Sequence, residues 1–172
     1  MSRTATVLDL RLRPLRHDDT ARVGEITRAS GLFRSDEIPV ALEVMAGAAA
    51  GSPDYDGLAA ELDHELVGWI AWGPTPCTLG TWDLYWLAVD PSHQGNGIGR
   101  TLVNAMEERL RPAARLIVVE TAGRDDYAGT RAFYEALGYQ QAARLPDFYA
   151  PGDDQVVYLK YLTHVAHSQG GR

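Results

Sequence analysis

The chain has 172 residues, 45% of them hydrophobic and 23% charged, with a net charge of −7. Those values fit one globular domain, expected over residues 1–162, with a flexible tail at 163–172. The acidity argues against nucleic acid as a partner, because binding a phosphate backbone rests on a basic surface.

The single cysteine, Cys77, excludes an intramolecular disulfide and a cysteine-built metal site. A reducing, cytoplasmic location is the default that follows. No apolar run approaches the roughly 18 residues of a membrane span, and the first residues lack the apolar centre of a secretion signal, so no membrane partner is expected.

In chain order, Leu10, Leu12 and Leu15 alternate in a short strand that Pro14 stops. Asp18 or Asp19 then caps a helix bearing Ala21, Val23 and Ile26. A second helix is expected in "SDEIPVALEVMAGAAA", with Ile38, Leu42 and Met45 on one face, Pro39 in the first turn and Gly47 near its end. "GLAAEL" and "LVGWIAW" flank Asp63, His64 and Glu65 and read as an antiparallel hairpin.

"TWDLYWLAVD" is aromatic and β-branched, which predicts a buried strand closed by Asp90 and Pro91. Leu102, Val103, Met106 and Leu110 form one helical stripe that Pro112 ends. "ARLIVVET" reads as a strand buried on both faces. "GTRAFYEALGY" predicts a helix with Ala132, Phe133 and Leu137 toward the core and Gly138 as its C-terminal cap. "YQQAARL" and "DQVVYLKYL" are two closing strands joined by "PDFYAPGDD". The order β α α β β β α β α β β indicates an α/β fold with a mixed sheet. His164 and His167, three apart in the tail, lack further ligands, so no metal site is expected.

Between strand and helix lies "SHQGNGIGRTLV", Ser92 to Val103. A strand, a glycine loop and a helix start gather backbone N–H groups around one point, where phosphate is favoured. The nucleotide P-loop needs Gly-Lys-Ser/Thr, which is missing. The dinucleotide fingerprint fails because Arg100 stands where a glycine or alanine is required. A glycine-rich helix start that binds nothing is the plainer alternative.

Gln94-Gly95-Asn96-Gly97-Ile98-Gly99 fits Q/R-x-x-G-x-G/A, the pyrophosphate loop of acetyltransferases that use acetyl coenzyme A. With "LYWLAVDPSHQG" before it and "RAFYEALGY" after it, the chain resembles the GNAT superfamily of N-acetyltransferases over nearly its whole length. The resemblance implies a mostly antiparallel sheet of about six or seven strands flanked by about four helices. It also implies acetyl-CoA as co-substrate, with an amine-bearing small molecule or peptide as acceptor; a homodimer stays open. A regulatory domain that binds acetyl-CoA without turnover is the other functional class in view.

On the same resemblance, the N–H groups of Gln94, Gly95, Asn96, Gly97, Ile98 and Gly99, with Arg100 and Thr101, would cradle the pyrophosphate. Leu87, Ala88 and Val89 would pair with the pantetheine arm. Tyr134 matches the tyrosine that protonates the departing sulfur, and its plainer reading is a core tyrosine bonded to backbone. Two carboxylates compete as general base, Glu120 and Asp83, because an ammonium acceptor has to lose a proton before it attacks. Glu120 has a structural alternative as a partner of Arg124. Tyr127 departs from the family, which often has asparagine there. Phe33, Trp72, Trp82, Tyr85, Trp86 and Tyr149, near Asp36 and Glu37, could wall a pocket for a cationic acceptor.

Overall fold

The structure, a computed structural model, describes residues 10–162. Seven strands in a mixed sheet and four α-helices follow one another in the expected order. The described residues group into two compact units: 10–73 with Tyr85–Asn104, and Pro74–Leu84 with 105–162.

In the first unit, β1 (Leu10–Pro14) pairs antiparallel with β2 (Asp56–Leu62), and β2 with β3 (Glu65–Pro74). Asp63 and His64 carry φ of 49° and 68°, and their two-residue turn suits the right-handed twist of the hairpin. Helices α1 (Thr20–Ala29) and α2 (Glu37–Ala49) bury Val23, Ile26, Ala41, Val44 and Met45 in a core with Trp69. The Trp69 indole N–H donates to Thr27 Oγ1 at 3.1 Å, so this fully buried ring keeps no unpaired donor.

Asp19 precedes α1 as expected, yet its carboxylate does not cap that helix. It accepts two bonds of 2.8 Å from Arg13 and one of 2.8 Å from the Arg16 N–H, while Arg13 also pairs with Glu61. Burying the Arg13 guanidinium between β1 and β2 claims the acid that the sequence offers as a cap. Gly47 does not end α2 either: a Cβ there would stand 2.6 Å from the Tyr55 ring, so the glycine admits a close ring contact inside the helix.

In the second unit, the first residues of β4 (Thr81–Val89) run parallel to β5 (Leu116–Ala122), from Thr81↔Leu116 to Leu84↔Val119. Next come β7 (Asp153–Tyr161) and, at the edge, β6 (Gln140–Ala150), both antiparallel. Helix α3 (Ile98–Leu110), whose first residues belong to the first unit, buries Leu102, Val103, Met106 and Leu110 as predicted. Helix α4 (Ala128–Ala136) buries Tyr134, while Ala132 faces solvent, contrary to the expected stripe.

Three other expectations are corrected. β4 and β5 are each only partly buried, with Tyr85 38% exposed and Glu120 exposed, because one face of this stretch carries polar chemistry. "PDFYA", expected as loop, belongs to β6: an edge strand tolerates Pro146, and a register shift between Leu145 and Ala150 absorbs Asp147 at φ 53°. The 163–172 tail, with His164 and His167, lies outside the described residues. Among the described residues no cluster of three or more His, Cys, Asp or Glu could hold a metal ion, and no helix is long and apolar enough to cross a membrane.

Candidate active site

The glycine loop follows the last residue of β4. Asp90 begins it: the Ser92 hydroxyl and N–H and the Arg22 guanidinium all donate to its carboxylate, and its own N–H donates to Val67 O at 2.8 Å. The Ser92 hydroxyl foremost, with the Ser92 N–H and Arg22, holds the Asp90 carboxyl down to about 2 against the opposing effect of desolvation. Further along, Gln94 Nε2 donates to Val89 O at 3.2 Å and Asn96 Nδ2 to His93 O at 3.1 Å. These two side chains shape the loop from within.

Gly95 and Gly97 have φ of 77° and 79°, the left-handed region that an L side chain enters only at a cost, and neither has an atom near the place of a Cβ. The resulting turn leaves six consecutive backbone N–H groups, Gly95 to Arg100, with no hydrogen-bond acceptor among the described residues. Thr101 N–H is the first one taken, by Gly97 O at 3.0 Å, which starts α3. Ile98 offers only its N–H, since its side chain is buried; Arg100 is exposed and makes no ion pair among the described residues. Open N–H groups at the positive end of a helix dipole, beside a free guanidinium, favour an anionic group. Leu87, Ala88 and Val89 lie beyond the point where β4 stops pairing with β5, at Leu84.

The second unit carries the ionisable groups. Register places Asp83 opposite Val118 on β5, so Asp83 shares a sheet face with Glu120; β7 adds Gln155 on that face. Thr75 Oγ1 donates to Asp83 at 2.6 Å, and the Gln155 amide donates to the Tyr149 hydroxyl at 3.4 Å. Partial desolvation, then the negative charge of Asp83, push the Glu120 carboxyl above the ordinary glutamate range, against the opposing effect of the Gln155 amide. Arg124 pairs with Asp126 and Asp153 at 3.1 Å each, which leaves Glu120 outside that ion-pair set.

Tyr134 lies in α4 with its ring edge-to-face against Phe133 and Tyr139, at 5.2 and 5.5 Å between centroids. Tyr134 is buried, and no bond from its hydroxyl is found among the described residues. Burial pushes its pKa well above the ordinary tyrosine value, and the hydroxyl stays protonated. Tyr127, at the position of the family's asparagine, lies under the Arg124 guanidinium at 5.1 Å. Of the aromatic residues weighed for an acceptor pocket, Trp72 is core, 1% exposed, and Trp86 packs on Phe33 at 4.8 Å.

The family model described as acetyltransferase (GNAT) family matches residues 25–139, more than half of the chain. The chain belongs to the GNAT acetyltransferase family. A GNAT-family acetyltransferase of Desulfovibrio desulfuricans is similar in structure, with a TM-score of 0.84 and 34% identity over 90% of this chain and 99% of that one. An acetyltransferase of Salmonella typhimurium, solved with acetyl-CoA, shares the GNAT fold at a TM-score of 0.73 and 18% identity, over 95% of this chain and 99% of that one. Among curated proteins, an uncharacterized N-acetyltransferase of Methanocaldococcus jannaschii is 29% identical over 106 residues, 59% of this chain; the match spans 63% of that relative, less than two thirds of its length.

Within this GNAT chain, sequence reasoning missed three supports. Asp90 closes its strand as expected, but its bond to Arg22 on α1 carries no local signal. Thr75 and Gln155 carry no local signal, because their value comes only from the carboxylates that the fold sets beside them.

Proposed function

We propose that the chain moves an acetyl group from acetyl-CoA to an amine by direct attack of the amine nitrogen on the thioester carbonyl. The observation that carries this reading is the run of six open N–H groups between Gly95 and Arg100, which fits the pyrophosphate of a coenzyme A. Gln94 to Thr101 hold the pyrophosphate in this reading, and the main chain of Leu87, Ala88 and Val89 meets the pantetheine arm. Glu120 takes the proton that the ammonium has to lose, since its raised pKa brings it nearer to neutrality, where a base is most effective. Asp83 acts on Glu120 through its charge. Tyr134 returns a proton to the sulfur as the carbon–sulfur bond breaks.

Acetyl-CoA at about a hundred times its dissociation constant is expected to stabilise the fold by about 2.7 kcal/mol, roughly 5–10 °C in melting temperature. A flat melting curve at saturating acetyl-CoA would sink this reading. In Gly97→Ala, the left-handed backbone costs roughly 1–2 kcal/mol and a Cβ crowds the phosphates, so the shift on adding acetyl-CoA should be largely lost.

The pH profile of kcat/KM tests the base. A carboxyl whose pKa is raised stays protonated to higher pH, so the acid limb should lie above the ordinary glutamate value of about 4.3. Asp83→Asn removes the charge that raises it, and the limb should then move to lower pH. A limb that stays in place on Asp83→Asn but vanishes with Glu120→Gln would remove Asp83 from the scheme.

A further inference from the structure

The first unit holds a pocket of about 420 Å³ between the end of α1, the segment after it and the start of α2, lined by Arg28, Phe33, Ser35, Ile38, Pro39 and Leu42. That size suits a small molecule. Four of the six lining residues are apolar, Ser35 adds a hydroxyl, and Arg28 is the one charged group.

The acids that the sequence sets nearby do not serve this pocket. Asp36 is taken by Arg34 at 3.1 Å, and the Glu37 carboxylate accepts the Arg34 N–H at 2.6 Å. Arg28 itself makes no ion pair among the described residues. Its Nη1 lies 3.1 Å from the place of a Cβ on Gly24, one turn earlier on α1, so the guanidinium folds back along the helix over a residue without a side chain. A glycine inside a helix carries a propensity cost relative to alanine, and here it gives the guanidinium room at the pocket. An apolar wall with one guanidinium that makes no ion pair among the described residues fits a carboxylate with an apolar body.

The pocket also adjoins the strand that carries the coenzyme reading. Phe33, one of its walls, packs on Trp86 at 4.8 Å, and Trp86 is the residue before Leu87.

We propose that this pocket binds the acceptor, and that the acceptor is an α-amino acid with an apolar side chain, its carboxylate on Arg28 and its side chain against Phe33, Ile38 and Leu42. The planar fork of a guanidinium matches a carboxylate in a two-bond geometry that a lysine does not reproduce. The assignment of acceptor rests on the acetyl-transfer reading above; the binding of an amino acid does not.

The test uses the full chain with leucine and phenylalanine, and with 3-methylbutylamine and phenethylamine, which lack the carboxylate. Calorimetry should show leucine or phenylalanine binding at least about tenfold more tightly than its decarboxylated counterpart, with that advantage lost in Arg28→Ala and only partly restored in Arg28→Lys. With acetyl-CoA, free-thiol release should favour the amino acids, and Arg28→Ala should raise their KM about tenfold or more while the KM for acetyl-CoA stays unchanged. Equal binding of the acids and the amines, or binding indifferent to Arg28→Ala, overturns the pocket assignment whatever the turnover. Arg28-dependent binding without thiol release overturns the role as acceptor, and a normal melting shift with acetyl-CoA in the same sample shows that the coenzyme reading has not failed with it.

Discussion

Replacing Tyr134 with phenylalanine is expected to lower kcat for acetyl transfer by about a hundredfold or more, with the KM for acetyl-CoA nearly unchanged. The ring is held on two sides by Phe133 and Tyr139, and phenylalanine keeps both contacts. The hydroxyl gives no bond to the protein among the described residues, so its loss should change folding stability by less than about 0.5 kcal/mol. Burial keeps that hydroxyl protonated through the working pH range, which suits a donor and excludes it as the base. Stopped-flow detection of free thiol separates the cases. An unchanged kcat in Tyr134→Phe would remove the residue from the chemistry, whereas a fall in kcat together with a large loss of stability would mark it as structural.

The largest effect on stability is expected at Lys160. Its ammonium sits 2.8 Å from both carboxylate oxygens of Glu107 and 2.8 Å from Leu137 O, the carbonyl that follows α4. The Glu107 side chain is only 6% exposed, and among the described residues its one other partner is the Tyr139 hydroxyl, which donates at 3.0 Å. Lys160→Met leaves that carboxylate buried with its charge unmatched, which costs about 3–5 kcal/mol. For a chain of this size the melting temperature should fall by roughly 10 °C or more. Combining it with Glu107→Leu removes the stranded charge and should recover most of the loss, because a buried ion pair exchanged for packed apolar groups is often close to neutral. Urea denaturation of the two single variants and the double variant measures the coupling; purely additive effects would show that the pair does not act as a unit.

Much of this fold was legible because its patterns are local. The alternation in β1, the stripe of α3 and the turn at Asp63 and His64 each declare themselves within a dozen residues. The glycine loop was legible for the same reason, since Gly95 and Gly97 are fixed by backbone conformation alone. What stayed hidden depends on partners distant along the chain. The sequence left Glu120 and Asp83 competing for one role, and what surrounds each of them, Thr75 donating to Asp83 and the Asp83 charge acting on Glu120, comes only from the fold. Asp19 looked like a helix cap until Arg13 claimed it. Pro146 read as a loop signal because edge position, which makes a proline harmless in a strand, is a property of the sheet and not of the segment.

The knot at Asp90 has a consequence for how a ligand would meet the glycine loop. Arg22, which binds Asp90, also donates to Leu66 O at 3.1 Å, so helix, hairpin and loop are tied at one carboxylate. The conformational entropy of the segment that leads into Gly95 is thus given up when the chain folds, and association has little left to order. With the Asp90 carboxyl held down to about 2, that tie keeps its charge across mildly acidic solution as well as at neutrality. A weakening of anion binding between neutral pH and pH 4 is then not the loss of this tie.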